Sequence, residues 1–217
     1  MTTAIAQAYS LREEVLHAVT HGIAAMLSVA ALVFLLMKVD SGPVGVVAVS
    51  LYGGAMIAMF TTSTLYHSLF ATKAAGFFKM LDHSAIYLKI AGAYSPFALI
   101  SLPVSTGIWV MVGAWAAAVL GIALKLRAFI KKTGKRFSLV SLLLYLAMGW
   151  AGVLMISPLS EQLPGAAINW IIAGGLAYTV GAGFYAMKSW PYTHVIWHLF
   201  VIAGAACHFV AIYSYVI

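Results

Sequence analysis

Apolar residues in this chain run in long stretches separated by short polar breaks. Seven stretches emerge, at about 15–37, 44–68, 80–101, 105–126, 137–157, 166–187 and 192–216. Each holds roughly the 20 apolar residues that a helix needs to cross a bilayer's hydrocarbon core. The breaks are "KVDSGP" (38–43), "ATKAAGFFK" (71–79), "SLPVSTG" (101–107), "KKTGKRF" (131–137), "SPLSEQLPG" (157–165) and "MKSWP" (187–191). Pro191 suits the first turn of the last helix, where a missing N–H costs nothing. Pro96 falls inside the third stretch and predicts a kink or an opening in its backbone ladder. Glycines as in "GGLAYTVGAG" (174–183) suit close helix approach in lipid. With no internal repeat, low-complexity segment or soluble domain, the pattern predicts one all-α domain over 1–217. It is a polytopic seven-transmembrane helix bundle, preceded by a short N-terminal segment of about 1–14.

Composition strengthens this reading. The 217 residues are 64% hydrophobic and 8% charged, against about 45–50% and about 25% in soluble domains. The net charge of +7 raises the question of nucleic acid, but its distribution answers it. Arg12, Lys73, Lys79, Lys125, Arg127, Lys131, Lys132, Lys135, Arg136 and Lys188 fall on one side of the seven spans, and Lys38 alone on the other. That asymmetry predicts a cytoplasmic N-terminus and a C-terminus outside, the reverse of a rhodopsin-like receptor. The basic loop at 131–136 then reads as topology and contact with anionic headgroups. The lone Cys207 has no internal disulfide partner. The first apolar stretch is too long for a cleaved signal's core, and no small-residue cleavage site follows it.

Ionisable groups inside spans are rare and mark candidate function. Here they are His17, His21, His67, Asp82, His83, Lys89, His194, His198 and His208. His67 ends span two, Asp82 and His83 open span three, and His194 and His198 open span seven. The topology brings these ends to one cytoplasmic layer. His194 and His198, at i and i+4, share a helix face. With His67 they would supply three nitrogens and leave a fourth position open, the pattern of catalytic zinc. Copper, iron and nickel also accept imidazole. Ser63, at i−4 from His67, is placed to bond a ligand or polarise a substrate, and Asp82 to orient a zinc-bound water or act as base on it. The alternative is that each histidine only hydrogen-bonds a neighbouring helix. A second HxxxH, His17 and His21, opens span one. The early position of His17 suggests an interfacial residue and His21 a bond within the bundle, but spacing alone does not dismiss the pair as ligands.

The ordered set "EEVLHAVTHGIA" (13–24), "STLYH" (63–67), "LDHSAIYLKIAGAYSPF" (81–97), "YLAMGW" (145–150) and "HVIWHLFVIAGAACHF" (194–209) resembles the hemolysin III family. That family is the bacterial branch of the progestin and adipoQ receptor (PAQR) membrane proteins. The resemblance runs from about residue 10 to the end. It implies seven helices, N-terminus in, around an intramembrane zinc ion held by His67, His194 and His198. It places the family's water-holding aspartate on Asp82 and its motif serine on Ser63. It leaves His17, His21, His83 and His208 outside the ligand set. His208, about 15 Å along a straight helix from His198, reads as structural. Tyr87, Tyr94 and the span-six aromatics read as packing. Lys89 reaches a cavity or snorkels.

These residues support several functional expectations. The first is a zinc-dependent hydrolase of a lipid amide or ester, with Asp82 and Ser63 assisting; the resemblance to the wider superfamily implies that it is ceramidase-like. The second is a membrane-state sensor whose zinc ties helices together without turnover. Cytolysis, suggested by the family's name, fits poorly with a chain too apolar for a soluble state, and a transporter has little support. The expected partners are membrane lipids, with a lipid or fatty acid in the bundle cavity and no nucleic acid. The expected location is the bacterial cytoplasmic (inner) membrane.

Overall fold

The computed structural model describes residues 9–187 and 189–217, with backbone alone at 134–138. Lys188, residues 1–8 of the expected N-terminal segment, and the side chains of Lys135 and Arg136 lie outside the described residues. The described chain is helical and contains no strand. The helices are α1 (Leu11–Lys38), α2 (Gly42–Ser68), α3 (Ala75–Pro96), α4 (Val104–Ile130), α5 (Gly134–Trp150), α6 (Ile156–Ser160), α7 (Gly165–Ala186) and α8 (Thr193–Tyr215). A π turn at Phe97–Ser101 follows α3, and a 3-10 segment at Ala151–Met155 joins α5 to α6. Six helical stretches are long and apolar enough to cross a membrane: α1, α2, α4, Leu139–Ser160, α7 and α8. The other long helix, α3, carries Lys79, Asp82, His83 and Lys89. Leu27, Phe34, Trp109, Val119 and Leu120 point outward and are exposed. Apolar side chains on the outer surface suit a lipid solvent, so the chain is a multi-pass membrane protein.

Helix α2 carries much of the core, with Val49, Tyr52, Met56 and Phe60 all buried. It packs between α1 and α3, while α8 packs against α7 and α1. These neighbours decide which polar residues can meet. One close approach needs glycine: a Cβ on Gly92 of α3 would lie 2.7 Å from Ala55 Cβ and 2.9 Å from the Leu51 carbonyl oxygen. That fit lets α3 lie directly against α2 at this point.

Several boundaries differ from the expected ones, each for a local reason. Helix α1 starts at Leu11 rather than 15, because Ser10 and Glu13 form a capping box. Ser10 N–H donates to Glu13 Oε2 at 2.9 Å, and Glu13 N–H donates to Ser10 Oγ at 3.3 Å. Helix α3 starts at Ala75, so the last part of the expected loop at 71–79 is helical. Beyond Pro96 the coil widens into the π turn, closed by Leu102 N–H to the Phe97 carbonyl at 3.1 Å. The expected fifth helix at 137–157 is interrupted by the 3-10 segment. Pro191 lies outside the first turn of α8, one residue before the N-cap Tyr192. Tyr192 is left-handed (φ 61°), a conformation that costs about 1–3 kcal/mol outside glycine. Its N–H is held by Glu13 Oε1 at 2.8 Å, so α1 fixes where α8 begins.

Candidate metal centre

Three helices converge near the α1 N-terminus. At helical spacing, α1 presents Glu14, His17 and His21 on one stripe, α2 presents Ser63 and His67, and α8 presents His194 and His198. One ligand atom from each of His67, His194 and His198 lies within 4.8 Å of the others. Ring centroids are 5.3 Å apart for His67 and His194, 5.2 Å for His67 and His198, and 4.8 Å for His194 and His198. The three histidines that the spacing singled out therefore meet. They do so in a dry setting: His67 and His198 are buried and His194 is half-buried.

Hydrogen bonds assign the ring nitrogens. His67 Nδ1 sits 2.6 Å from Glu14 Oε2. A carboxylate accepts, so Nδ1 carries the proton and Nε2 keeps its lone pair. His198 Nδ1 lies 3.3 Å from Thr20 Oγ1. Thr20 gives its only hydroxyl proton to the Leu16 carbonyl at 2.8 Å, so it accepts from His198 Nδ1–H. This leaves Nε2 of His198 as the second lone pair. Such outer partners are how proteins orient metal-binding imidazoles.

The structure corrects the interfacial reading of His17. That ring is fully buried inside the cluster, 4.5 Å from His67 and 4.6 Å from His194 by centroid. Glu14, which the sequence reading did not single out, forms a second group of possible ligands with His17 and His67. The 2.6 Å contact distinguishes the roles. Two atoms bound to one tetrahedral zinc at 2.0–2.1 Å lie about 3.3 Å apart, whereas 2.6 Å is a short charge-assisted hydrogen bond. Ser63 does not bond His67. It bonds His21 Nδ1 at 2.8 Å, and His21 stacks on His198 with centroids 3.5 Å apart. Tyr9 stacks on His194 at 5.1 Å, and burial, then Tyr185, Glu14 and Glu13, push its phenol up to about 12.

Asp82 lies beside Ser63 and lines the same cavity as His194 and His198. Its neighbour His83 donates from Nδ1 to the Lys79 carbonyl at 2.6 Å. His208 bonds the Ile171 carbonyl from Nε2 at 3.3 Å, in keeping with its structural reading. Tyr87 is fully buried against Tyr145, and Tyr94 donates to the Met148 carbonyl, both as packing residues. The cavity measures about 550 Å³, and its walls are mostly apolar.

Among the described residues, five buried imidazole nitrogens of this cluster have no hydrogen-bond partner: Nδ1 and Nε2 of His17, Nε2 of His21, Nε2 of His67 and Nδ1 of His194. Each such orphan costs about 1–3 kcal/mol. A shared divalent cation relieves the cost where lone pairs converge. The buried histidine and glutamate cluster can therefore hold a metal ion.

Fold and site together define a polytopic helical membrane protein with a histidine-rich centre buried among its helices. The family model described as "Haemolysin-III related" matches residues 9–209, and the chain belongs to that family. It is 41% identical to Hemolysin-3 of Bacillus cereus over 95% of this chain and 93% of that protein. It is 38% identical to the Hemolysin-3 homolog of Bacillus subtilis (strain 168), over 95% and 96%. A more distant similarity, 28% over 76% of this chain and 68% of the relative, links it to the human monocyte to macrophage differentiation factor.

Proposed function

We propose that this chain is a seven-span protein of the bacterial cytoplasmic membrane, N-terminus inside, that holds zinc on His67, His194 and His198 and hydrolyses an amide or ester bond in a membrane lipid. The observation that carries the reading is the convergence of His67, His194 and His198 beside an apolar cavity that His194, His198 and Asp82 line. Bound zinc supplies Lewis acidity and a nucleophile at near-neutral pH. The chain's own residues do the rest. Glu14 and Thr20 hold the imidazoles of His67 and His198 in the required tautomer. Asp82, beside Ser63, takes up and returns the proton that hydrolysis moves. Ser63 steadies His21 and positions the Asp82 carboxyl. The apolar walls admit a lipid tail and exclude water from the reacting bond. Orientation rests on the ten-to-one asymmetry of Lys and Arg between the two sides.

A second reading has the same zinc as a structural tie in a membrane-state sensor. The observation favouring it is that Glu13, Glu14 and His17 of α1 already bridge α2 and α8. A panel of amide- and ester-linked lipids incubated with purified protein separates the two. The hydrolase reading expects turnover that His67→Ala and Asp82→Ala both abolish. Turnover unchanged by both substitutions, or no turnover of any lipid by zinc-loaded protein, overturns it.

A further inference from the structure

Lys89 is 5% exposed and lies on α3, seven residues beyond Asp82 and so about 10 Å further along the helix. The chain has five acidic residues, Glu13, Glu14, Asp40, Asp82 and Glu161, and none forms an ion pair with Lys89. Its Nζ sits over two aromatic faces, 5.1 Å from the Tyr52 centroid and 5.7 Å from that of Tyr178. Such contacts are worth about 2 kcal/mol when desolvated. They attract the charge but accept none of its three N–H donors in the ordinary sense. A cation inside the hydrocarbon layer without an anion is costly.

The groups around it are also incomplete. Tyr52 has committed its hydroxyl to the Ala205 carbonyl at 3.3 Å. The hydroxyl of Tyr178 is buried with no partner, as is Nδ1 of His208. Tyr178 and His208 meet edge to face at 5.5 Å, and Lys89 is close enough to bear on His208 electrostatically. Glycines make room for both rings. A Cβ on Gly204 would meet the Tyr178 ring at 2.8 Å, and one on Gly174 would overlap His208. Lys89, Tyr178 and His208 all line the same cavity as the histidine cluster. His208 stands ten residues from His198 on α8, about 15 Å away along the helix.

We infer that Lys89 and Tyr178, beside His208, form a second polar subsite in this cavity, and that it takes the carboxylate end of a single-chain aliphatic amphiphile. The carboxylate oxygens accept from Lys89 Nζ and from the Tyr178 hydroxyl, while the chain lies along the apolar walls. A monoanion matches the single ammonium. A dianionic phosphate would bring a second charge against His208, whose Nε2 proton is already given to the Ile171 carbonyl and whose Nδ1 can only accept. The cavity's 550 Å³ lies within the roughly 300–1,000 Å³ usual for such sites. This subsite is separate from the metal ligands and stands whether or not they bind zinc.

The test uses purified full-length protein in an uncharged detergent, with radiolabelled oleate, oleyl alcohol and oleyl phosphate as probes. A charged hydrogen bond in a dry site is worth roughly a ten- to hundredfold preference. Oleate is therefore expected to bind at least tenfold tighter than the alcohol, and tighter than the phosphate. Lys89→Met should remove the oleate preference while leaving alcohol binding within about twofold, and Lys89→Arg should keep most of it. The preference should persist in chelator-treated protein and in His194→Ala, which separates this subsite from a carboxylate resting on the imidazole cluster. Equal binding of oleate and alcohol by the chelated wild type overturns the inference, even if Lys89→Met fails to fold. A preference that survives Lys89→Met but vanishes in His194→Ala overturns it too. Tighter binding of the phosphate refutes the carboxylate assignment.

Discussion

Replacing Glu14 by Gln tests how the centre is held. The substitution keeps shape and removes one negative charge at a carboxylate 2.6 Å from His67 Nδ1 and 3.7 Å from His17 Nδ1. An amide oxygen still accepts a hydrogen bond, so the ring orientation survives while the charge assistance is lost. Loss of an outer carboxylate of this kind typically weakens metal binding about 10–100-fold, or roughly 1.4–2.7 kcal/mol. The measurement is zinc competition against a chromophoric chelator in detergent, with Glu13→Gln as the control. Glu13 bonds Ser10 and the Tyr192 N–H and touches none of the histidine nitrogens. Glu13→Gln is therefore expected to alter thermal stability more than zinc affinity. An affinity for Glu14→Gln within twofold of wild type would falsify the outer-partner role. If Glu14, His17 and His67 were the ligands instead, His17→Ala would abolish binding while His194→Ala spared it.

Three further outcomes follow from packing and linkage. A Cβ at Gly121 would run into the Tyr87 ring, so Gly121→Ala should destabilise the α3–α4 contact by about 1–3 kcal/mol and lower Tm; an unchanged Tm contradicts the packing described. Tyr94→Phe removes the bond to the Met148 carbonyl and should cost about 1 kcal/mol, read from the same melts. Free zinc at a hundred times its Kd should stabilise the protein by about 2.7 kcal/mol, and a chelator should remove that gain. No shift of Tm with zinc refutes selective binding to the folded state.

The apolar runs showed where the membrane helices lie, because a span must satisfy its own backbone in lipid and length alone reveals it. The meeting of His67, His194 and His198 was legible from span count and the i, i+4 stripe. Glu14 and His17 were harder, for a definable reason. An apolar window cannot see the first turn of α1, which starts in polar sequence. The signal was nonetheless present as Ser10 and Glu13, a capping pair three residues apart. The partners of Lys89 come from α2 and α7, far apart in sequence, and periodicity carries no information about them. The 3-10 break after Trp150 likewise falls within an apolar run that reads as one helix.

Metal analysis of the purified protein, wild type beside single alanine variants, tests the central claim most directly. The account predicts one zinc per chain, lost in His67→Ala, His194→Ala and His198→Ala and retained in His17→Ala. A wild-type protein that takes up no zinc, or one whose zinc is indifferent to those three histidines, contradicts it.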